Sequence, residues 1–147
     1  MDCKGTALTD ADLAALSKAK GVLSLTLSGT KVTDEGATQL ANMRKLQSLF
    51  LNGTEVTDAT LATLGNLRQL RILDLSASSV TGGLEPLAGL PQLEWLLLRS
   101  LKIKDDSLAA LGSSQSLQRL NLNDSEIANE KSLDALSAER SGLNVER

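Results

Sequence analysis

A spacing of 23 or 24 residues between pairs of leucines is the feature that most constrains the fold. The pair Leu25 and Leu27, separated by one residue, recurs five times at steps of 24, 24, 23, 24 and 23 residues. The later pairs are Leu49/Leu51, Leu73/Leu75, Leu96/Leu98, Leu120/Leu122 and, less perfectly, Leu143/Val145. A fixed period of this length is typical of repeat proteins, in which each unit stacks on the next and shares its core.

Other positions keep the same register around each pair, so that five repeats are recognisable. An apolar residue stands three positions before the pair, at Val22, Leu46, Leu70, Leu93 and Leu117. Another stands seven positions after its first member, at Val32, Val56, Val80, Ile103 and Ile127. A hydroxyl residue follows the strand at Thr30, Thr54, Ser78 and Ser125, where it can bond the backbone of the turn. Leu101 interrupts this hydroxyl column.

The resulting pattern, L-x-x-L-x-L-x-x-[TS]-x-[VI], resembles that of the leucine-rich repeat superfamily from Leu8 to Val145. The segments Val32-Thr33-Asp34 and Val56-Thr57-Asp58 resemble the cysteine-containing subclass found in F-box and related proteins, with Thr or Ser where that subclass has Cys. The resemblance implies an α/β fold: a right-handed leucine-rich repeat solenoid, or horseshoe. Its concave face would be a parallel β-sheet, and its convex face would carry helices or 3₁₀ segments.

Elementary geometry predicts the same architecture. The leucines of each L-x-L point into the coil, and the residues between and beside them point out. Strands stack about 4.8 Å apart whereas helices need about 10 Å, so the array bends with the sheet inside. We predict strands centred near Thr26, Phe50, Asp74, Leu97 and Asn121. We predict convex helices after Thr33, Thr57 and Lys104, and a weak one after Val80, where Gly82, Gly83 and Pro86 disfavour helix.

We expect residues 1–147 to form a single leucine-rich repeat domain of about five full repeats with partial repeats at its ends. One period before the first full repeat, Met1 and Cys3 fall on the two inward strand positions. We predict that the first full repeat shields Cys3. Because the chain starts and stops inside repeats, we expect it to be part of a longer protein.

The composition argues against catalysis. The chain has no His, which removes the commonest general base and metal ligand, and it contains no phosphate-binding or metal-binding motif. Asp105-Asp106 could suggest a metal site, but Asp105 aligns with Asp34 and Asp58 as a helix-start residue. We therefore expect no enzymatic activity, no catalytic residue, no metal and no cofactor.

Charge and cysteine content limit the partners and the compartment. A net charge of −3 and a pI near 5.0 argue against nucleic-acid binding, which needs clustered cations. No apolar run suits a membrane span or a signal peptide, so we expect no membrane partner. A single cysteine cannot form an intramolecular disulfide, which favours an intracellular and cytoplasmic location.

The concave face carries the candidate binding site. Both aromatic residues of the chain, Phe50 and Trp95, fall on outward positions together with Ile72 and Leu97. Polar candidates beside this apolar stripe are Asp74, Arg99, Arg119 and Asn121. Clustered apolar side chains on a surface mark interaction sites, and Trp and Arg are enriched at binding hot spots. The alternative is that flanking repeats or loops cover the aromatics, or that they merely satisfy strand propensity.

Three functions are compatible with these features. The leading hypothesis is a module that binds another protein, of unknown identity, through the concave sheet. An alternative is a structural scaffold whose end repeats stack on further repeats or on copies of the same chain. The family likeness also allows the substrate-receptor part of a ubiquitin ligase, which would need a longer parent chain.

Overall fold

In the computed structural model, which describes residues 1–147, a three-residue strand is centred on the first leucine of each of the first five pairs and on Val145 of the last pair. The strands are β1 (Ser24–Thr26), β2 (Ser48–Phe50), β3 (Ile72–Asp74), β4 (Trp95–Leu97), β5 (Lys102–Ile103), β6 (Arg119–Asn121), β7 (Glu126–Ile127) and β8 (Asn144–Glu146). Six of them form one parallel sheet in the order β1-β2-β3-β4-β6-β8, and β5 pairs in parallel with β7. The repeat period therefore builds the predicted sheet.

The register of the sheet follows the leucine period from β1 to β6. Leu25 pairs with Leu49, and Leu49 with Leu73, so that equivalent residues of successive repeats are side by side. At the last pair the register differs from the predicted one, since Leu120 lies opposite Val145 and not opposite Leu143. The observed strand centres lie one residue before the predicted ones. Pairing nevertheless continues past each strand, because the N–H of Leu27 donates to the carbonyl of Phe50 at 2.8 Å. The predicted centres thus mark the middle of the hydrogen-bonded ladder.

A left-handed residue follows each strand at one fixed position. The residues are Gly29, Gly53, Ala77, Ser100 and Asp124, with φ between 52° and 68°. The first two are glycines, which adopt this conformation without steric cost, whereas the Cβ atoms of the other three strain the turn. The chain bends away from the sheet at the same point in every repeat, whichever residue stands there.

The convex side carries short helices. They are α1 (Asp10–Leu16), α2 (Asp34–Ala37), α3 (Asp58–Leu64), α4 (Glu85–Ala88), α5 (Ser107–Ala110) and α6 (Glu130–Glu139), with 3₁₀ turns at Thr38–Asn42 and Leu111–Ser113. The predicted helices after Thr33, Thr57 and Lys104 are present. The segment after Val80 is a four-residue helix that no side chain caps. Two helices were not predicted from the sequence: α1 and the ten-residue α6, which Asn129 caps.

One apolar core runs through the whole stack. It comprises 34 buried residues, mostly leucines, and it includes Leu101, the residue that interrupts the hydroxyl column. Cys3 is half-buried against the first end of this core. Asp2 bridges to Thr26, which places Met1 and Cys3 in register with the inward Leu25 and Leu27, as predicted, although Met1 is 48% exposed.

A ladder of carboxylates joins the convex segments of neighbouring repeats. Asp34 accepts hydrogen bonds from the N–H and the hydroxyl of Thr57, at 2.8 and 2.6 Å. Asp10 does the same for Thr33, and Asp58 for Thr81. The predicted helix-start aspartates therefore act between repeats as well as at the first turns of their own helices.

The hydroxyl column adapts where Leu101 interrupts it. Thr30 and Thr54 donate to the carbonyl three residues earlier in their own repeats, as expected. Ser125 instead donates to the carbonyl of Leu98, in the preceding repeat, at 2.6 Å and accepts from the N–H of Leu101 at 3.1 Å. Ser125 thus supplies the bond to the Leu98 carbonyl that a hydroxyl at position 101 would make.

Candidate functional site

The outward side chains of the main sheet stand in two columns. The first column contains Ser24, Ser48, Ile72, Trp95, Arg119 and Asn144. The second contains Thr26, Phe50, Asp74, Leu97, Asn121 and Glu146. The four predicted apolar residues are therefore divided between the columns, with Ile72 and Trp95 on one and Phe50 and Leu97 on the other. All four are half-buried.

Trp95 is the centre of the first column. It pairs with Ile72 on one side and with Arg119 on the other. The guanidinium carbon of Arg119 lies 5.1 Å from the centroid of the indole ring, within range of a cation–π interaction. Residues of both neighbouring repeats thus flank Trp95, and one of them, Arg119, lies over its ring.

The indole N–H is a buried donor without an acceptor. Trp95 Nε1 is inaccessible to solvent and makes no hydrogen bond. A cleft of about 190 Å³ lies beside the ring, lined by Ile72, Glu94, Trp95, Gln118 and Arg119. An unpaired buried donor destabilises a native state, and such groups in native structures call for a functional or structural explanation. The cleft gives an approaching ligand access to the Trp95–Arg119 pair.

The second column alternates apolar and polar residues. Asp74 lies between Phe50 and Leu97, and its carboxylate accepts from the N–H of Ser76 at 2.9 Å. Asp74 is 8% exposed and Asn121 is 9% exposed, although both were predicted to contact a partner. Neighbouring side chains cover them, and they offer little surface to a second protein. Their hydrogen bonds hold the strand ends instead.

The two predicted arginines are exposed and occupy different parts of the face. Arg119 stands beside Trp95 in the first column. Arg99 lies two residues after Leu97, the last residue of β4. Its backbone N–H donates to the hydroxyl of Ser76 at 3.1 Å. The structure therefore gathers Phe50, Ile72, Trp95, Leu97, Arg99 and Arg119 on adjoining repeats of one face.

Sequence reasoning missed an ion pair at the border of this face. The guanidinium of Arg71 donates to both carboxylate oxygens of Glu94, at distances of 2.9 to 3.1 Å. These residues immediately precede Ile72 and Trp95, and both remain partly exposed. The signal was present in the sequence, since Arg71 and Glu94 are one period apart. An exposed pair of this kind stabilises a fold by about 0–1 kcal/mol.

The carboxylate of Asp105, which the sequence offered as a candidate metal ligand, has structural partners. No group of three or more His, Cys, Asp or Glu side chains converges in a way that could hold a metal ion. Asp105 accepts from the N–H groups of Gly83 and Ser107 at 2.9 and 3.0 Å. Partial burial raises the pKa of Asp105, but the bonds from Ser107 and Gly83 outweigh it and hold the pKa below its ordinary value. Asp105 thus connects two convex segments.

Comparisons with known proteins identify the fold. No protein-family model matches the chain, and no curated protein matches it. Among solved structures, the chain is similar to an internalin (inlF) from Listeria monocytogenes, with a TM-score of 0.70 and 22% identity over 91% of the chain. It is also similar to an internalin C2 (inlC2) from the same organism, with a TM-score of 0.60 and 22% identity over 98% of the chain. The chain spans 36% of the first structure and 68% of the second.

The internalins are leucine-rich repeat proteins, and the parallel six-stranded sheet with helices opposite has the same architecture. The fold of this chain is a leucine-rich repeat solenoid, which confirms the predicted fold class. No helix of this solenoid has the length and apolar character needed to cross a bilayer.

Proposed function

We propose that this chain is an interaction module that binds another protein through its concave sheet. The observation that carries the proposal is the Trp95–Arg119 pair, a preformed aromatic and cationic site flanked by Ile72 and Leu97. Tryptophan and arginine are the residue types most enriched at binding hot spots, and rigid anchors lose little conformational entropy on binding. The proposal assigns no catalytic role and no cofactor to the chain, and residues 1–147 act in it as one domain.

The arrangement suits a partner with an apolar group beside an acidic or carbonyl-rich one. The apolar group would lie across Phe50, Ile72, Trp95 and Leu97, since these residues stand on three neighbouring strands of one face. Arg99 and Arg119 would orient the acidic or carbonyl group by charge-assisted hydrogen bonds. Asp74 and Asn121 complete the predicted set, and they would support the apolar residues from neighbouring positions of the same column.

Mutation of the anchor tests the proposal. A partner is captured with the wild-type module, and its affinity for each variant is then measured by calorimetry. Trp95→Ala is expected to weaken binding by about 2 kcal/mol or more. Ser24→Ala is the matched control, because Ser24 is an exposed residue of the same column, three strands away from Trp95. Unchanged affinity in a Phe50→Ala/Trp95→Ala variant would move the binding site to the convex face, the edges or the ends.

A scaffold function is the second candidate. Within this chain, β8 pairs on one side only, so its other edge is free to hydrogen-bond to a further strand. Stacking of copies through this edge would make the concave face secondary. Sedimentation at several concentrations separates the two ideas, because self-association that survives Trp95→Ala favours the scaffold.

The likeness to the cysteine-containing subclass supports a third assignment, the substrate-receptor part of a ubiquitin ligase. It rests on Val32-Thr33-Asp34 and Val56-Thr57-Asp58 alone. Identification of an F-box in the parent chain would favour it, and a captured partner that is never ubiquitinated would count against it. The intracellular location stays a prediction.

A further inference from the structure

Cations are concentrated on one edge of the solenoid, where the convex segment returns to the sheet. In the first three turns this edge consists of residues 17–23, 41–47 and 65–71. These segments contain six Lys and Arg residues and no Asp or Glu, whereas the whole chain has 15 basic and 18 acidic residues. The six are Lys18, Lys20, Arg44, Lys45, Arg68 and Arg71, all exposed, and together they are termed the basic edge.

The solenoid period brings the basic edge together. Lys20, Arg44 and Arg68 are 24 residues apart and occupy the same position in successive turns. Lys20, Arg44 and Lys45 line a cleft of about 260 Å³, whose floor includes Val22 and Met43. Arg44 also lines the next cleft, of about 450 Å³, with Arg68, Asn66 and Gln69. The shared arginine makes the two clefts neighbours along one edge.

Five of the six charges of the basic edge have no salt-bridge partner within the chain. Of its six residues only Arg71 forms a salt bridge, with Glu94 at 2.9 Å. Like charges on adjacent turns repel one another, and the solvent screens this repulsion only in part at distances below about 10 Å. A bound anion would relieve the repulsion, so the edge attracts negatively charged ligands.

We propose that the basic edge binds an extended acidic segment of a partner protein. Equivalent positions of neighbouring turns are separated by about 4.8 Å at the sheet and about 10 Å between helices. Alternate side chains of an extended peptide are about 6.6 Å apart, within that range. Carboxylates at alternate positions can therefore meet Lys20, Arg44 and Arg68 in turn while the peptide lies along the clefts.

The limits of the basic edge favour a short acidic segment over a nucleic acid. In the fourth turn Pro91 takes the place of Arg68, and Glu94 takes the place of Arg71. Since the chain as a whole has a net charge of −3, the surface outside the edge has an excess of acidic groups. Those groups would repel a continuous phosphate backbone. The basic edge is distinct from the concave apolar residues, and the proposal goes beyond the function proposed above.

A charge-reversal experiment tests the proposal. The probe is a fluorescent oligoglutamate peptide, and its binding to the intact chain is followed by anisotropy at low ionic strength. Lys20→Glu/Arg44→Glu/Arg68→Glu is expected to weaken binding by at least about tenfold, because attraction becomes repulsion at all three positions. The control, Lys31→Glu/Lys104→Glu/Lys131→Glu, changes the net charge equally at exposed lysines outside the edge. It is expected to change the affinity by less than about twofold.

Absence of oligoglutamate binding to the wild type, or equal weakening by both triple variants, would overturn the proposal. Tighter binding of a single-stranded oligonucleotide of equal charge would overturn the assignment to an acidic peptide. Urea denaturation of both variants establishes that they fold. Phe50→Ala/Trp95→Ala is expected to bind the peptide with wild-type affinity. A failure of the basic-edge proposal can therefore be distinguished from a failure of the concave-face proposal.

Discussion

The carboxylate of Asp34 accepts two hydrogen bonds from Thr57 of the next repeat, from the N–H at 2.8 Å and from the hydroxyl at 2.6 Å. The same threonine hydroxyl accepts from the N–H of Ala59 and so caps α3. Thr60 also donates its hydroxyl to Asp34. A single aspartate therefore connects two convex segments and holds the start of a helix.

Replacement of Asp34 should reduce stability in a pH-dependent manner. Burial raises the pKa of Asp34, but hydrogen bonds from Thr57 and Thr60 outweigh it and keep the pKa below the ordinary value of 3.8. The stabilisation is therefore present at neutral pH and is lost as the pH falls from the unfolded-state pKa through the lower folded-state pKa. We expect Asp34→Asn to cost about 1–2 kcal/mol at neutral pH.

Urea denaturation at neutral pH and below about pH 4 checks this expectation. The difference in unfolding free energy between wild type and Asp34→Asn should shrink as the pH falls. Glu35→Gln is the matched control, since Glu35 is exposed and its carboxylate makes no hydrogen bond. A difference that stays constant over the whole pH range would contradict the assigned role of the Asp34 charge.

Removal of the Ser125 hydroxyl should destabilise the chain more than removal of an ordinary surface hydroxyl. Ser125→Ala leaves the carbonyl of Leu98 and the N–H of Leu101 without their partner, and we expect a loss of about 1–3 kcal/mol. Ser113→Ala is the control, because Ser113 is exposed and makes one local bond. Equal denaturation midpoints for the two variants would show that water replaces the serine.

At the left-handed turn position, replacing glycine by alanine should lower the stability of the fold, and replacing alanine by glycine should not. A Cβ at Gly53 would meet its nearest neighbour at 3.8 Å, so Gly53→Ala introduces no clash and only the strain of φ +68°. We expect it to cost about 1 kcal/mol, and Ala77→Gly to be neutral or stabilising by up to about 1 kcal/mol. Thermal melts of both variants measure this, and stabilisation by Gly53→Ala would refute the explanation.

Truncation of an inward residue of the sheet should reduce the free energy of unfolding more than truncation of an outward residue. Leu73 is fully buried, and Leu73→Ala should cost about 2–5 kcal/mol of unfolding free energy through lost burial and a cavity. Trp95→Ala should cost less, because the indole lies outside the coil core. Denaturant melts of the two variants give the comparison. A larger loss of stability for Trp95→Ala would make the indole a structural residue first.

Much of the fold could be predicted from sequence because one repeat recurs. Leu25, Leu49 and Leu73 were assigned to the core by their spacing alone, and all three are fully buried. The alternation of a strand then placed Phe50 and Trp95 on the opposite face. Only local backbone geometry enters such an inference, since adjacent side chains of a strand must point to opposite sides.

Relations between repeats could not be predicted in this way. Ser125 occupies the same sequence position as Thr54, yet it bonds the neighbouring repeat because Leu101 supplies no hydroxyl there. Asp74 points out of the sheet as predicted, but its neighbours bury it. Such outcomes depend on which side chains of adjacent turns can reach one another.

The amino-acid sequence by itself determined the period, the inward face of every strand and the candidate apolar residues of the concave face. The tertiary structure decided which of those residues adjoin, that Arg119 stacks on Trp95, and that Asn121 is nearly inaccessible. The physical reason is that the side of the sheet to which a side chain points is set by the backbone of its own strand. Exposure and pairing depend on the reach and the charge of side chains brought together from several turns.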